Sequence, residues 1–203
     1  PAPGSSSRRH SPAAAVRVRA ARPEDMPAVL RLFRAVFREA SIDHRIQALH
    51  GGPSWARIKC ATVREQAAAN PGGCFVAVAD NAVVGYIGTT VNAIASRGCI
   101  LDLAVARDCQ GRGIGRRLLR HALRHFRRLG LRQAKIETLE TNQAGQHLYP
   151  ALGFVEVARQ IHYAMPLQPR RRGADDRGSA RPPAGGHDKR RAPAAARGRR
   201  GRE

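Results

Sequence analysis

A glycine-rich turn between a predicted strand and a predicted helix holds the residues best suited to bind phosphate. Within the run VARDCQGRGIGR, the glycines Gly111, Gly113 and Gly115 precede an amphipathic helix. Glycine has no Cβ, so backbone N–H groups at a helix N-terminus can approach an anion closely there. Arg112 and Arg116 add positive charge beside the turn. The pattern predicts a phosphate-binding turn.

The spacing of these glycines argues against two common nucleotide-binding sites. No Lys followed by Ser or Thr completes a P-loop, and the pattern G-x-G-x-G differs from the G-x-G-x-x-G of dinucleotide-binding folds. A kinase or a dehydrogenase is therefore disfavoured.

Hydrophobic periodicity predicts a mixed α/β domain around the turn. The helices have apolar stripes at three- and four-residue spacing, and the strands are short apolar runs bounded by turn residues. The segment Ser41 to Pro53 is expected to be irregular, either as a substrate-side lid or as an ordinary connector next to Trp55. The expected elements are strands at Val16 to Ala20, Phe75 to Ala79, Val83 to Val91, Cys99 to Val105 and Gln133 to Glu140, helices after Pro23, from Ser54 to Ala69, from Ile114 to Leu129 and from Asn142, and a final β region from Gly153 to Leu167.

The composition favours a soluble, cytoplasmic protein without a metal. The longest apolar runs fall far short of the roughly 18 residues of a membrane span, and the start of the chain has no apolar block of signal-peptide length. The four cysteines show no C-x-x-C spacing, which favours a reducing compartment and argues against a disulfide scaffold.

The charge of +21 is distributed over three predicted regions. Pro1 to Ala15 is expected to be a disordered leader, and residues 16–167 to be the folded domain with a net charge of +11. Gln168 to Glu203 has 12 Lys and Arg against 4 acids and no apolar periodicity, which predicts a disordered basic tail. The tail could make nonspecific contacts with polyanions.

Two ordered motifs resemble the GNAT superfamily of N-acetyltransferases. Gln110 to Gly115 matches the superfamily pattern Q/R-x-x-G-x-G/A after a strand. Asn142, followed after five residues by Leu148-Tyr149 and then by Gly153-Phe154, is similar to the family's ending, an Asn followed by L-Y-x-x-x-G-F. This C-terminal half resembles the ribosomal-protein N-terminal acetyltransferase branch. The resemblance is specific only from about Ile100 to Phe154.

The resemblance implies the GNAT fold, with acetyl-CoA as acyl donor and no metal. That fold has a mixed, mostly antiparallel sheet flanked by helices, and the strand at Leu101 to Val105 splays from the strand at Ile136 to Glu140 to admit the pantetheine arm. Backbone N–H groups at Leu103 to Val105 would also stabilise the tetrahedral oxyanion. The implied cofactor-binding residues are Leu103, Ala104, Val105, Gln110, Gly111, Arg112, Gly113, Ile114, Gly115, Arg116 and Asn142.

The catalytic residues implied by the resemblance are Glu137 and Tyr149. Glu137 lies five residues before Asn142, where that branch has its base, although a carboxylate paired with a nearby arginine is an equally good interpretation. Tyr149 matches the tyrosine that protonates the departing thiolate, and its phenol, with an ordinary pKa of about 10, holds a proton at neutral pH. Rival bases are Asp102, Glu140, Cys99 and His147.

Several questions stay open in the sequence. Gly145 replaces the usual alanine of the family, and Pro150 follows Tyr149, so the local helix geometry departs from the pattern. A protein N-terminus or a lysine is the favoured amine acceptor, and a small-molecule amine is the runner-up. Alternatives to an enzyme are a binding protein for nucleic acid or ribosomes, or a pseudoenzyme that binds acetyl-CoA. Nothing in the sequence indicates the oligomeric state.

Overall fold

A five-stranded sheet forms the centre of the computed structural model, which describes residues 15–37 and 41–167. The strands lie in sequence order, with antiparallel pairing from the first to the fourth and parallel pairing between the last two. The predicted mixed, mostly antiparallel sheet is therefore confirmed. The strands are β1 (Arg17–Ala20), β2 (Cys74–Ala79), β3 (Ala82–Asn92), β4 (Arg97–Val105) and β5 (Gln133–Ile136).

Helices cover both faces of this sheet. Side chains of α1 and α3, including Val29, Phe33 and Val63, pack on one face, and those of α4, including Leu118 and Phe126, pack on the other. Each large side chain buried in this way contributes about 1.5–3 kcal/mol. The helices are α1 (Met26–Val36), α2 (Ile42–His50), α3 (Trp55–Ala69), α4 (Ile114–Arg128) and α5 (Gln143–Leu148).

Helix α2 corrects the prediction that Ser41 to Pro53 is irregular. Ile42, Ile46 and Leu49 recur at four- and three-residue spacing, which is the periodicity of a helix face. The helix ends at Gly51, whose φ of 71° takes the chain out of the helical conformation. The short apolar stripe was overlooked because the glycines and proline after it suggested a loop.

The end of the domain also differs from the prediction. The strand predicted to reach Glu140 ends at Ile136, because its pairing with β4 ends there. The final β region predicted up to Leu167 forms no strand, since residues 154–167 pair with none of the five strands. Side chains hold this extended segment instead: Arg159 pairs with Glu140 at 2.8 Å, and a ring nitrogen of His50 lies 3.1 Å from the carbonyl of Ala164.

Parts of the predicted domain plan lie beyond the described residues. The leader at residues 1–15 is described only at Ala15, and the whole tail at residues 168–203 falls outside. Both segments stay predictions. Within the described ranges, no helix is long and apolar enough to cross a membrane.

Two histidines of α4 should make folding stability depend on pH. His121 and His125 pack on the Phe75 ring, with centroid distances of 4.5 and 5.3 Å, and burial lowers the pKa of both below the usual 6.5. The unfolded chain therefore binds protons more readily, so the free energy of unfolding should fall as the pH drops below about 6.5. Urea unfolding between about pH 5 and 7.5 measures this slope.

The matched variant replaces both histidines with phenylalanine, which keeps the ring contacts but cannot titrate. Its stability should vary less over the same pH range than that of the unsubstituted protein. Equal slopes in the two proteins would mean that other groups cause the pH dependence.

Candidate active site

The turn between β4 and α4 is open and has left-handed backbone at two glycines. Gly111 and Gly113 have φ values of 74° and 75°, which other residues rarely adopt. A Cβ at either position would find no other heavy atom within 4 Å. Gly113 is the N-cap of α4, and the first N–H groups of a helix lack intrahelical partners. The turn thus offers backbone donors and free space to an anion.

Two arginines add charge to this turn. Arg112 is exposed and Arg116 is half-buried. Neither forms an ion pair with any carboxylate among the described residues. Their positive charge is therefore available to a phosphate-bearing ligand.

The pairing between β4 and β5 covers only the first part of β4. The two strands pair only from Arg97 and Gln133 to Ile100 and Ile136. Just beyond, Leu101 is an extra residue in the pairing of β4 with β3, and such a bulge bends a strand. The pairing thus ends where the resemblance implies that the two strands separate, although the second strand itself stops at Ile136.

Beyond the bulge, every second residue of β4 directs its backbone N–H and C=O groups toward the edge that β5 leaves unpaired. Ala106 donates its backbone N–H to the carbonyl of Val84 in β3 at 2.9 Å. Because backbone groups alternate along a strand, the N–H and C=O groups of Leu103 and Val105 point to the opposite edge of β4. There the carbonyl of Val105 accepts a hydrogen bond from the Gln110 side chain at 3.0 Å. Gln110 thereby ties the glycine turn to the strand.

Asn142 caps helix α5. Its Oδ1 accepts the N–H of Gly145 at 3.1 Å, and its Nδ2 donates to Oγ1 of Thr138 at 2.8 Å. The structure thus uses this side chain as a helix cap, and the part that the resemblance gives it in cofactor binding stays a prediction.

Tyr149 lies half-buried at the end of α5. A Cβ at Gly145 would come within 2.9 Å of its ring, so the glycine that departs from the family pattern lets the ring pack against the helix. Burial raises the pKa of Tyr149, and a hydrogen bond with Thr138 partly opposes that change. The phenol is therefore protonated at neutral pH. The adjacent Leu148 lies 3.4 Å from a Cβ built on Gly115, which brings α5 next to the glycine turn.

The candidate bases occupy different environments. Glu137 is exposed and pairs with Lys135 at 2.6 Å, so its charge is partly compensated by a lysine and not by the arginine that the alternative interpretation expected. Glu140 is exposed and pairs with Arg159. Two weaker candidates remain. Cys99 is half-buried on β4, and a ring nitrogen of the exposed His147 lies 2.7 Å from the carbonyl oxygen of Gln143.

Asp102 is buried against Lys59, a residue that sequence reasoning overlooked. Asp102 is 4% exposed and accepts a hydrogen bond from the Lys59 ammonium, which also lies over the rings of Phe33 and Phe37. Burial raises the pKa of this carboxyl, and Lys59 opposes the change. Because its carboxylate is enclosed and paired, Asp102 is poorly placed to meet a substrate. In the part of the chain that the structure describes, no three His, Cys, Asp or Glu side chains cluster to hold a metal.

A depression between α2 and α3 lies on the side of the candidate lid. It has a volume of about 510 Å³ and is lined by His44, Gln47, Ala48 and Trp55. The side chain of Gln47 accepts the backbone N–H of Trp55 at 2.7 Å. The rings of His44 and Trp55 meet edge to face, with their centroids 5.9 Å apart. Arg45 of α2 donates to Thr141 at 3.0 Å, which brings this helix to the loop that follows β5.

Residues 31–154, more than half of the chain, match the acetyltransferase (GNAT) family. The chain belongs to this family. The GNAT fold neighbours include the PaiA N-acetyltransferase of Thermoplasma acidophilum in complex with coenzyme A, with a TM-score of 0.58 at 18% identity over 70% of this chain and 90% of that one. A ribosomal-protein alanine N-acetyltransferase of Escherichia coli has a TM-score of 0.52 at 22% identity, over 71% and 80% of the two chains.

Curated GNAT relatives include a mycothiol acetyltransferase from Rhodococcus jostii. It is 31% identical over 148 residues, which are 70% of this chain and 46% of the relative. The chain thus spans less than half the length of that protein.

Proposed function

We propose that this GNAT protein is an acetyl-CoA-dependent N-acetyltransferase whose acceptor is the primary amine of a small molecule. The observation that carries the proposal is the meeting of three features at one end of the sheet. The glycine turn opens beside the unpaired edge of β4, and contact between Leu148 and the Gly115 region holds Tyr149 next to both. The arrangement combines an anion site, an extended cleft and a proton donor.

The residues of this end fit the chemical parts of acetyl-CoA. Its phosphates match the open turn and the unpaired arginines, and its extended arm matches the free backbone groups of β4. When bound, acetyl-CoA supplies a thioester carbonyl for attack by an amine. N–H groups on the β4 edge would stabilise negative charge on that carbonyl oxygen. The residues assigned to binding are Leu103, Ala104, Val105, Gln110, Gly111, Arg112, Gly113, Ile114, Gly115 and Arg116, with Asn142 supporting them through the α5 cap.

Glu137 and Tyr149 would move the protons. An alkyl amine has an ordinary pKa near about 10.4, so it must lose a proton before it attacks. Glu137 is exposed to solvent and can accept this proton through a water molecule. The protonated phenol of Tyr149 then donates to the departing thiolate.

The depression between α2 and α3 offers a surface on which a small amine acceptor could bind. The depression is open to solvent and has a volume of about 510 Å³. Trp55 and His44 supply aromatic walls, and Gln47 supplies a polar group. The relatives named mycothiol acetyltransferase point in the same direction. A protein N-terminus or lysine is the second candidate, because the spacing of Glu137 and Asn142 favours it.

The test is coenzyme A release from acetyl-CoA across a panel of amines. The panel contains amino sugars, aminoglycosides, polyamines, lysine peptides and peptides with varied N-termini. We expect acceptor-dependent release with the small amines. Release only with peptides would favour the second candidate, and binding of acetyl-CoA without release from any amine would contradict an acetyltransferase.

Replacing Glu137 with glutamine should lower kcat/KM about 10- to 100-fold near neutral pH. The amide cannot accept a proton, although solvent can partly replace an exposed base. Initial rates of coenzyme A release with the best amine measure the effect. Glu156→Gln is the matched control, because Glu156 is a similarly exposed, ion-paired carboxylate that is not a candidate base. Equal rates in the two variants would remove Glu137 from the mechanism.

A further inference from the structure

The outer face of α4 carries a continuous row of arginines, here called the arginine row. Its members recur at three- and four-residue spacing, all are exposed, and the helix contains no acidic residue. They are Arg117, Arg120, Arg124, Arg127 and Arg128. The opposite face of α4 is the buried apolar stripe, so the two faces of the helix are fully segregated.

The positive charge of the arginine row is not neutralised by the described part of the protein. No member forms an ion pair with a described carboxylate, and Arg117 donates only to the carbonyl of Val16, at 3.3 Å. Arg124, Arg127 and Arg128 line a surface depression of about 400 Å³ together with His121. Several like charges at this spacing repel one another unless an anion lies over them.

The length of the row suits the dense phosphates of a duplex. Its ends lie eleven positions apart, which is about 16 Å along a helix at a rise of about 1.5 Å per residue. Duplex DNA carries one negative charge about every 1.7 Å of its axis, counting both strands, so a row of this length faces several phosphates at once. Leu118, Ala122 and Phe126 hold α4 against the sheet. A straight, fixed row suits a stiff duplex.

We propose that the arginine row binds the phosphate backbone of duplex DNA without reading its sequence. Base recognition usually needs amide side chains or bidentate contacts in a groove, and the row contains only arginines at the surface of a packed helix. The row lies beyond Arg116 along α4 and shares no residue with the proposed acetyl-CoA site. DNA binding is therefore an additional activity that does not depend on acetyl transfer.

The experiment measures binding of a fluorescent duplex of about 20 base pairs to the full chain at about 50 to 200 mM salt. Replacing Arg120, Arg124 and Arg127 with glutamine removes three phosphate contacts, so the slope of log K against log[salt] should become shallower by about 2.7. Affinity at the lowest salt should fall at least about tenfold. Coenzyme A release should not change, which also shows that the variant is folded.

The control variant is Arg31→Gln/Arg57→Gln/Arg64→Gln, which removes the same charge from exposed arginines of α1 and α3. It should keep the salt slope of the unsubstituted protein. The proposal is overturned if both triple variants weaken binding equally, because net charge or the basic residues 168–203 would then account for it. Tighter binding of a single-stranded oligonucleotide or of polyglutamate through the row would overturn the choice of duplex DNA.

Discussion

Replacing Gly113 with glutamate should raise the Kd for acetyl-CoA by about 100-fold or more. The new carboxylate would lie where the turn is open to phosphate, and juxtaposed like charges cost several kcal/mol. The φ of 75° at this position adds strain for any residue with a Cβ, about 1–2 kcal/mol. Isothermal titration with acetyl-CoA measures the change, and circular dichroism checks that the variant folds.

Gly130→Glu is the matched control for this variant. Gly130 follows the other end of α4, has a φ of 70°, and likewise has no heavy atom within 4 Å of a Cβ. The substitution therefore imposes the same backbone strain and the same charge change far from the turn. Its Kd should equal that of the unsubstituted protein. If Gly113→Glu binds acetyl-CoA equally well, the turn is not the phosphate site.

Tyr149→Phe should lower kcat by about 10²- to 10⁴-fold, the usual contribution of a positioned acid. Burial keeps the Tyr149 phenol protonated at neutral pH, and phenylalanine preserves the ring contacts with Phe154 while removing the proton. Because the phenol would act only as the thiolate leaves, the Kd for acetyl-CoA should stay unchanged. Stopped-flow or steady-state measurement of coenzyme A release gives kcat.

Tyr163→Phe provides the comparison. Tyr163 is 89% exposed, so loss of its hydroxyl should leave kcat unaffected. An equally small effect of Tyr149→Phe would mean that water protonates the thiolate. A loss of folding in Tyr149→Phe would instead show that the hydroxyl serves structure through Thr138.

The glycine turn and the helix behind it were predictable because their signals are local. Gly111 and Gly113 occupy positive φ values that glycine favours, and the apolar stripe of α4 repeats over four turns. The short helix at Asn142 was also predictable, since an Asn side chain capping an N–H three residues on needs only neighbouring residues. The assignment of Glu137 and Tyr149 to catalysis stays a prediction.

Other features depended on partners far away in the chain. Asp102 was a reasonable base until the fold brought Lys59, 43 residues earlier, against its carboxylate. The predicted final β region forms no strand, because a strand exists only when it pairs with a neighbour and residues 154–167 pair with none of the five strands. Neither the length of β5 nor the place of Lys59 follows from local propensity.

The sequence by itself determined the glycine turn before α4, the amphipathic helices and the order of most strands. These features depend on backbone freedom at glycine and on periodic burial, which neighbouring residues specify. The tertiary structure alone decided that β4 has a bulge at Leu101 just beyond its last pair with β5, that α2 reaches Thr141 through Arg45, and that Gly145 admits the ring of Tyr149. Those outcomes depend on packing between segments that are distant in the sequence. The free energy of such a contact depends on which side chains the fold places next to it, and local propensity does not determine that.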